Sequence, residues 1–205
     1  MGHAPVAKLT AKGRATRERI VRAASALMLE RGVARTTIED IQQAANVSTS
    51  QMYHYFGDKG DLVAAVIDLQ SNQVLGGQQL ELHRVDSIAA LVRWRNALVD
   101  VMRGRACVGG CPIGSLASEL SDTDPLARAR LTRAFAQWED LIRDGLEAIA
   151  ARGELPPGVD VDRLALAMLA GVQGGLLLSQ GRRDTGPLEA AVDAMIEHLR
   201  SMGVR

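Results

Sequence analysis

A nine-residue segment, Ser48–Phe56, is rich in side chains that form hydrogen bonds. It reads STSQMYHYF and contains three aliphatic hydroxyls, an amide, two phenols and an imidazole. Its two apolar residues, Met52 and Phe56, are four positions apart, so they lie on one side of a helix. We therefore predict a short helix that buries this side and presents its polar groups to a partner with hydrogen-bonding edges, such as a nucleic acid.

The preceding residues predict the helices that would hold this segment. Apolar residues recur with helical spacing from Ile20, and Gly32 stands where a glycine cap ends a helix. Thr37, followed by acidic residues, predicts a second helix start, and Asn46 can adopt the left-handed conformation that ends it. Ser48 is a favourable N-cap for the next helix. Two short helices after a longer one predict a helix-turn-helix, whose second short helix lies in the major groove of DNA.

The outward side chains of this unit suggest distinct contacts with a duplex. Gln51 can pair with the two hydrogen-bonding groups of an adenine edge. Tyr53 and His54 are suited to phosphate or sugar contacts, and Lys59 adds positive charge at a helix start that already favours phosphate. Other interpretations stay open at this stage. Tyr53 could be a packing residue, His54 an ordinary surface residue and Lys59 a solvated charge.

Charge and composition limit the function classes. The 205 residues carry 24 basic and 24 acidic side chains. Residues 1–60 hold nine basic and five acidic ones, so a head with a charge of +4 precedes a body with a charge of −4, which suggests a polyanionic partner for the head. We expect no secretory signal, no membrane span and no disulfide scaffold, and therefore a cytoplasmic protein. Cofactor loops, metal-ligand clusters and catalytic groups are not predicted, so an enzyme is not expected.

The helical periodicity extends along the chain. It predicts an all-α fold of about nine helices, with breaks at the glycine-rich residues 104–110 and at Pro156–Gly158. A loosening of one helix is expected at Gly76 and Gly77. We predict a disordered basic arm over residues 1–15, a helix-turn-helix domain over 16–62 and an effector-binding and dimerisation domain over 63–205.

The segment from Arg19 to Leu62 resembles the N-terminal domain of the TetR family of transcriptional regulators. The matching features are Arg19-Ile20, Ala23-Ala24, Leu27, Glu30, Gly32, Thr36-Thr37, Ile41, Ala44-Ala45, Val47-Ser48, Tyr53-His54-Tyr55-Phe56, Lys59 and Asp61-Leu62. The resemblance implies a DNA-binding regulator with double-stranded operator DNA as its partner. The predicted DNA contacts are Thr37, Ser48, Thr49, Ser50, Gln51, Tyr53, His54 and Lys59. Departures such as Thr49-Ser50, where the family often has a basic residue and glycine, leave the operator sequence open, and the basic residues 8–22 offer further phosphate or minor-groove contacts.

The later helices suggest a small-molecule site. Trp94, Leu98 and Met102 share one helical face, and Leu131, Phe135 and Trp138 share another. Apolar sites between helices that contain a few polar groups bind small molecules. Gln173 stands alone in an apolar run and could orient such a ligand, but the simpler interpretation of each of these residues is ordinary core, with Gln173 bonded across a dimer. The predicted ligand-binding residues are Trp94, Leu98, Met102, Cys111, Leu131, Phe135, Trp138 and Gln173.

Two cysteines, Cys107 and Cys111, are separated by four positions. Cys111 precedes Pro112 and so occupies a potential N-cap, where the positive helix end lowers a thiol pKa and increases reactivity. This pattern allows Cys111 to sense oxidants or electrophiles, with Cys107 as a resolving thiol. The simpler interpretation is two small buried side chains.

The segment Gly110–Leu120, with its Gly-Cys-Pro-x-Gly pattern, resembles a subgroup of TetR-like regulators. Some relatives in that group sense electrophiles or oxidants, and others bind small apolar molecules. The run from Ala170 to Leu178 fits the same subgroup, and the resemblance implies that the last two helices form a homodimer interface. The residues predicted for dimerisation are Leu169, Val172, Leu176, Met195 and Leu199. We therefore expect a repressor that a small, largely apolar ligand releases from its operator, and the alternative is a thiol-based repressor.

Overall fold

A computed structural model describes residues 9–203, and every regular element within that range is an α-helix. The nine helices are α1 (Ala11–Arg31), α2 (Ile38–Ala45), α3 (Thr49–Tyr55), α4 (Lys59–Leu82), α5 (Ile88–Gly104), α6 (Pro112–Leu120), α7 (Pro125–Ala151), α8 (Val161–Arg182) and α9 (Gly186–Ser201). The prediction of an all-α fold is confirmed.

The first helix begins earlier than the sequence pattern predicts. α1 starts at Ala11, and the side-chain oxygen of Thr10 accepts a 3.1 Å hydrogen bond from the backbone N–H of Gly13. This N-cap satisfies one of the free N–H groups of the first turn. The prediction of a disordered arm through residue 15 is therefore wrong for residues 11–15, while residues 1–8 lie outside the described range.

Most of the predicted helix ends are confirmed. Gly32 has a φ of 88° after α1, and Asn46 adopts the left-handed conformation after α2, with φ 49° and ψ 58°. At the start of α8, where no cap was predicted, the side chain of Asp160 accepts a hydrogen bond from the Arg163 N–H. The expected loosening at Gly76 and Gly77 is wrong, because α4 continues through both residues.

The chain divides into two compact units, each with its own core. Among the described residues, the first comprises 9–72 together with 115–131, and the second comprises 73–114 and 132–203. The first core includes Ile20, Ile41, Met52 and Leu62, which are at most 1% exposed. These units reflect packing only, so the predicted domain boundary at residue 62 stays a prediction.

In the second unit, α8 and α9 pack closely because one of their contact positions is a glycine. A Cβ atom at Gly175 would lie 2.8 Å from the Cα of Leu188, which is closer than real side chains approach. The backbone N–H of Leu188 donates a 3.2 Å hydrogen bond to the buried Ser179 hydroxyl. The guanidinium of Arg95 also pairs with Asp193 at 2.7 Å, which joins α5 to α9.

We predict that Gly175→Ala destabilises the second unit by about 1–3 kcal/mol, because the new methyl group forces α8 away from α9. Gly76→Ala is the matched control, since Gly76 lies within α4 with nothing within 4 Å of the added Cβ. The control should be stabilising by up to about 1 kcal/mol through helix propensity. Urea unfolding followed by circular dichroism measures both changes, and equal effects of the two substitutions would contradict the close packing.

Candidate functional site

Helices α2 and α3 are held in place by reciprocal hydrogen bonds at their N-termini. The Asp40 N–H donates to the Thr37 hydroxyl oxygen at 3.1 Å, and the Thr37 N–H donates to the Asp40 carboxylate at 3.0 Å. Hydrogen bonds from the backbone and side chain of Thr37 hold the pKa of Asp40 below its ordinary value. At α3 the Gln51 N–H donates to Ser48 Oγ at 3.2 Å, and the Ser48 N–H donates to Gln51 Oε1 at 3.0 Å. Both arrangements are capping boxes, which define where the two helices begin.

The two sides of α3 differ as the sequence predicts. Met52 and Phe56 are 1% and 2% exposed, so this side of the helix is anchored in the first core. Tyr53 is 56% exposed, so more than half of its surface is open to solvent, and its contact with DNA stays a prediction. The other predicted contact residues, which are also exposed, are Thr37, Ser48, Thr49, Ser50, Gln51 and His54. α3 therefore presents a hydroxyl-, amide- and phenol-bearing surface of the kind that meets base edges and phosphates.

Two predicted contact residues have structural partners that the sequence did not reveal. Gln51 Oε1 already accepts from the Ser48 N–H, so a two-bond contact with adenine would use the second lone pair of this oxygen together with the Nε2 donors. The Lys59 ammonium donates a 2.7 Å hydrogen bond to the carbonyl oxygen of Val33, so Lys59 holds the connection between α1 and α2. The interpretation of Lys59 as only a solvated charge is wrong, and its contact with DNA stays a prediction.

Two basic residues of α1 support the helix-turn-helix rather than standing free in solvent. The Arg19 Nε–H donates a 2.8 Å hydrogen bond to the carbonyl oxygen of Ala45, which satisfies the C-terminal end of α2. The Arg17 guanidinium lies 5.0 Å from the centre of the Phe56 ring. The spacing of these arginines gave no signal for this role, because both contacts join parts of the chain that are 26 or more residues apart.

The predicted effector residues are largely buried. Trp94, Leu98 and Met102 of α5 are at most 7% exposed, and the Trp94 Nε1–H donates a 2.7 Å hydrogen bond to Gln78. Trp138 is 1% exposed, and Phe135 is partly buried. Leu131 is buried too, but it belongs to the first compact unit, whereas the others belong to the second.

Two buried N–H groups among these described residues have no nitrogen or oxygen acceptor. Trp138 Nε1 and Gln173 Nε2 are buried donors without a nitrogen or oxygen acceptor, and the Gln173 side chain lies beside the Cys111 sulfur. A buried unpaired donor costs about 1–3 kcal/mol, and such a group in a folded protein calls for an explanation. Gln173 belongs to α8 and lies beside α6, since its Oε1 is 3.1 Å from the position that a Cβ at Gly114 would take. These two donors are the strongest indication of a ligand site in the second unit.

The two cysteines are free and buried. Cys111 does take the N-cap position of α6, with its sulfur accepting a 3.5 Å hydrogen bond from the Gly114 N–H. Burial nevertheless raises the pKa of the Cys111 thiol, although the N–H groups of Gly114 and Ile113 and the neighbouring Gln173 amide favour the thiolate. The predicted lowering of this pKa is wrong, because loss of hydration outweighs the helix end. Cys107 is 3% exposed and has a φ of 55°, and its carbonyl oxygen accepts a 3.0 Å hydrogen bond from Arg183.

Four of the five residues predicted for dimerisation lie in the core of their own chain. Leu169, Val172, Leu176 and Leu199 are at most 6% exposed, so they cannot form the contact face, and Met195 is partly buried. The physical reason is that α8 is apolar on two sides, and sequence periodicity does not tell which side faces α9. The exposed apolar residues of α8 are Leu166, Ala167, Ala170, Leu177 and Leu178.

By length and mean hydropathy, α8 alone among the described helices could cross a membrane, with a mean hydropathy of 1.4 and 33% of its most apolar window buried. A helix that packs on α9 with one side and on an apolar partner with the other has the same composition. In residues 9–203 no cluster of three or more His, Cys, Asp or Glu side chains is arranged to hold a metal ion.

The raised pKa of Cys111 predicts slow alkylation. In a Cys107→Ser variant, which keeps Cys111 as its one thiol, we expect iodoacetamide to react at about pH 7.5 at least about 10-fold more slowly than with unfolded chain, because burial restricts access and keeps the thiol protonated. Because the folded pKa is raised, the rate should keep rising at pH values where the unfolded chain has levelled off. Mass spectrometry of timed samples measures both rates, and a native thiol as fast as the unfolded one would support a sensor role instead.

Known proteins resemble this chain along nearly its whole length. Residues 20–66 match the model of bacterial regulatory proteins of the tetR family, and residues 87–195 match the Tetracyclin repressor-like C-terminal domain. The HTH-type transcriptional regulator TtgR of Pseudomonas putida is 31% identical over 90% of this chain and 91% of its own length. The HTH-type transcriptional repressor DhaR of a Mycobacterium species is 29% identical over 89% of this chain and 91% of its own.

Solved structures agree with these relatives. The crystal structure of a TetR transcriptional regulator from Chloroflexus aurantiacus superposes with a TM-score of 0.79 at 32% identity, covering 95% of this chain and 99% of that one. The two family models together match most of the chain, and the sequence relatives and the fold point the same way. This chain therefore belongs to the TetR family of helix-turn-helix transcriptional regulators.

Proposed function

We propose that the protein is a cytoplasmic, homodimeric repressor that binds operator DNA through α3 and leaves it when a small, largely apolar molecule binds in the second unit. The main support for DNA binding through α3 is that one side of this helix is buried and the other is exposed and polar. Met52 and Phe56 fix one side in the core, and the exposed polar side, including Tyr53, is left to meet a duplex. Family members bind operator DNA as homodimers, and DhaR is itself named as a transcriptional repressor.

A homodimer suits the exposed apolar side of α8. Leu166, Leu177 and Leu178 are 53–68% exposed, and a second copy of this helix would cover them. Two heads related by twofold symmetry then read two half-sites about 34–36 Å apart, which is one turn of DNA. We therefore expect the operator to be an approximate inverted repeat.

The effector part is supported by the unpaired donors. The α5 residues Trp94, Leu98 and Met102 supply apolar surface in the second unit, and Trp138 Nε1 and Gln173 Nε2 lack nitrogen or oxygen acceptors. An apolar molecule with an oxygen acceptor would bury its surface and pair one or both donors. If this molecule binds only the form that has lost its DNA, effector and operator oppose each other through one coupling energy.

Selection from a pool of random-sequence duplexes tests the DNA function, since the protein itself picks its operator. On the selected duplex, we predict that Tyr53→Ala weakens binding about 10-fold, as expected for loss of a hydrogen bond to a charged phosphate. The loss should be similar on unrelated duplexes, because phosphate contacts carry no sequence information.

Tyr55→Phe is the matched control for Tyr53→Ala. The Tyr55 hydroxyl lies 3.6 Å from the Cβ position of Gly13, so it faces α1, and its removal should leave DNA affinity nearly unchanged. Fluorescence anisotropy with labelled duplexes measures all affinities. If the wild-type protein enriches no duplex at low ionic strength, the proposed function is wrong.

Two small molecules of nearly equal shape test whether an effector pairs with the buried donors of the second unit. Benzophenone and 1,1-diphenylethylene have nearly the same shape, but only benzophenone has an oxygen acceptor. We predict that benzophenone binds about 10-fold more tightly, because it pairs a buried donor. The preference should disappear in Trp138→Phe or in Gln173→Leu, whichever donor it uses. Binding is followed by competition with a fluorescent apolar dye. Equal affinities for the two probes, or a preference for benzophenone that persists in both variants, would show that neither donor contacts the ligand.

A further inference from the structure

The connection between α1 and α2, residues 32–37, is held by side chains from distant parts of the chain. On one side, the carboxylate of Glu119 in α6 accepts two hydrogen bonds, from Val33 N–H at 2.8 Å and from Ala34 N–H at 2.7 Å. On the other side, the Val33 carbonyl oxygen accepts from Lys59 at the start of α4. Glu119 and the connection belong to the same compact unit. We call the two hydrogen bonds to Glu119 the Glu119 clamp.

The local backbone is shaped to admit this carboxylate. Gly32 has a φ of 88°, and a Cβ there would lie 3.3 Å from both carboxylate oxygens of Glu119. Only glycine adopts this conformation readily and also leaves the space free. The backbone of the connection thus accommodates the carboxylate, because it offers two N–H donors and has no side chain at Gly32 to block the space.

The Glu119 clamp holds the connection between α1 and α2, which precedes the proposed DNA-contacting helix α3 in the sequence. The connection leads directly into Thr37, the N-cap of α2, and α2 leads through the turn into α3. Arg19 holds the other end of α2 through the Ala45 carbonyl oxygen. Since α2 has only eight residues, these two anchors largely determine where it lies in the head.

We propose that Glu119 is a positioning residue for operator binding, which acts from α6 through the connection between α1 and α2 and touches no DNA. This inference rests on the proposed DNA-binding function. The charge of Glu119 by itself would weaken DNA binding, because a negative charge in a DNA-binding head repels a polyanion. The presence of a carboxylate at this place is explained by the geometry that it imposes.

The test compares Glu119→Gln with the wild-type protein on the duplex that the wild type selects. Glutamine has nearly the same size as glutamate but only one acceptor oxygen. Its amide N–H groups would face one of the two backbone N–H groups, and two donors cannot form a hydrogen bond with each other. If charge alone matters, removing the carboxylate strengthens binding. The positioning role predicts that binding weakens about 10-fold, as expected when a hydrogen bond between a charged acceptor and its donor is lost. The slope of log K against log salt should not change, because no phosphate-binding cation is removed.

Glu30→Gln is the charge-matched control, because Glu30 is an exposed carboxylate at the end of α1. It should bind DNA as tightly as the wild type, or slightly more tightly. Hydrogen exchange reports on the clamp without DNA, and the amides of Val33 and Ala34 should exchange at least about 10-fold faster in Glu119→Gln. Glu119→Ala gives a second, smaller side chain, and circular dichroism establishes that each variant is folded.

Folded Glu119 variants that bind the operator as tightly as the wild type, or more tightly, would overturn the proposal, and so would unchanged exchange at Val33 and Ala34. Failure of the proposed function is recognised separately. In that case the wild-type protein itself selects no duplex, whatever the variants do.

Discussion

The DNA-binding head depends on one anchoring interaction, the burial of Met52 and Phe56 from a helix of only seven residues. A helix of this length is not stable by itself in water. Its conformation and its orientation therefore depend on the core in which Met52 and Phe56 are buried. Capping at Ser48 fixes where the helix starts, and the left-handed Asn46 fixes the direction of the chain as it enters. With these three constraints satisfied, the exposed side of α3 follows from helical geometry, and so does its suitability for a duplex.

The supports of this head come from well outside the helix-turn-helix. Arg19 closes the end of α2, Lys59 holds the connection before it, and Glu119 holds the same connection from α6. Each of these side chains forms hydrogen bonds with backbone groups of a distant segment, and the Val33 carbonyl oxygen also accepts one from the Thr36 N–H within the connection. The geometry of the reading surface is therefore decided in part by a residue in the middle of the chain.

Local signals allowed much of the fold to be predicted. The caps at Thr37 and Ser48, and the positive φ of Gly32, follow from residue type, because they depend on side chains within a few positions. The two sides of α3 followed from the spacing of Met52 and Phe56. The start of α1 was placed too late, because the cap at Thr10 lies before any apolar periodicity begins.

What depends on distant contacts could not be predicted. Periodicity marks the apolar sides of α8 but not which one faces α9, so Leu169, Val172 and Leu176 were assigned to the wrong surface. The cap position of Cys111 was predicted correctly, but its pKa shift depends on burial, which residue spacing does not reveal. No pattern indicated the Glu119 clamp, since its partners are about 85 residues away in the sequence.

The discontinuous make-up of the first compact unit limits how its head can be transplanted. That unit joins residues 9–72 with the distant segment 115–131, which includes Glu119. A fragment cut after residue 72 would keep α1 to α3 but leave the N–H groups of Val33 and Ala34 without their carboxylate. A chimaera that grafts this head onto the body of a relative must therefore carry segment 115–131 with it, or supply an acidic side chain at the equivalent place. The natural module for exchange is thus a spatial unit of two chain segments rather than a stretch of sequence.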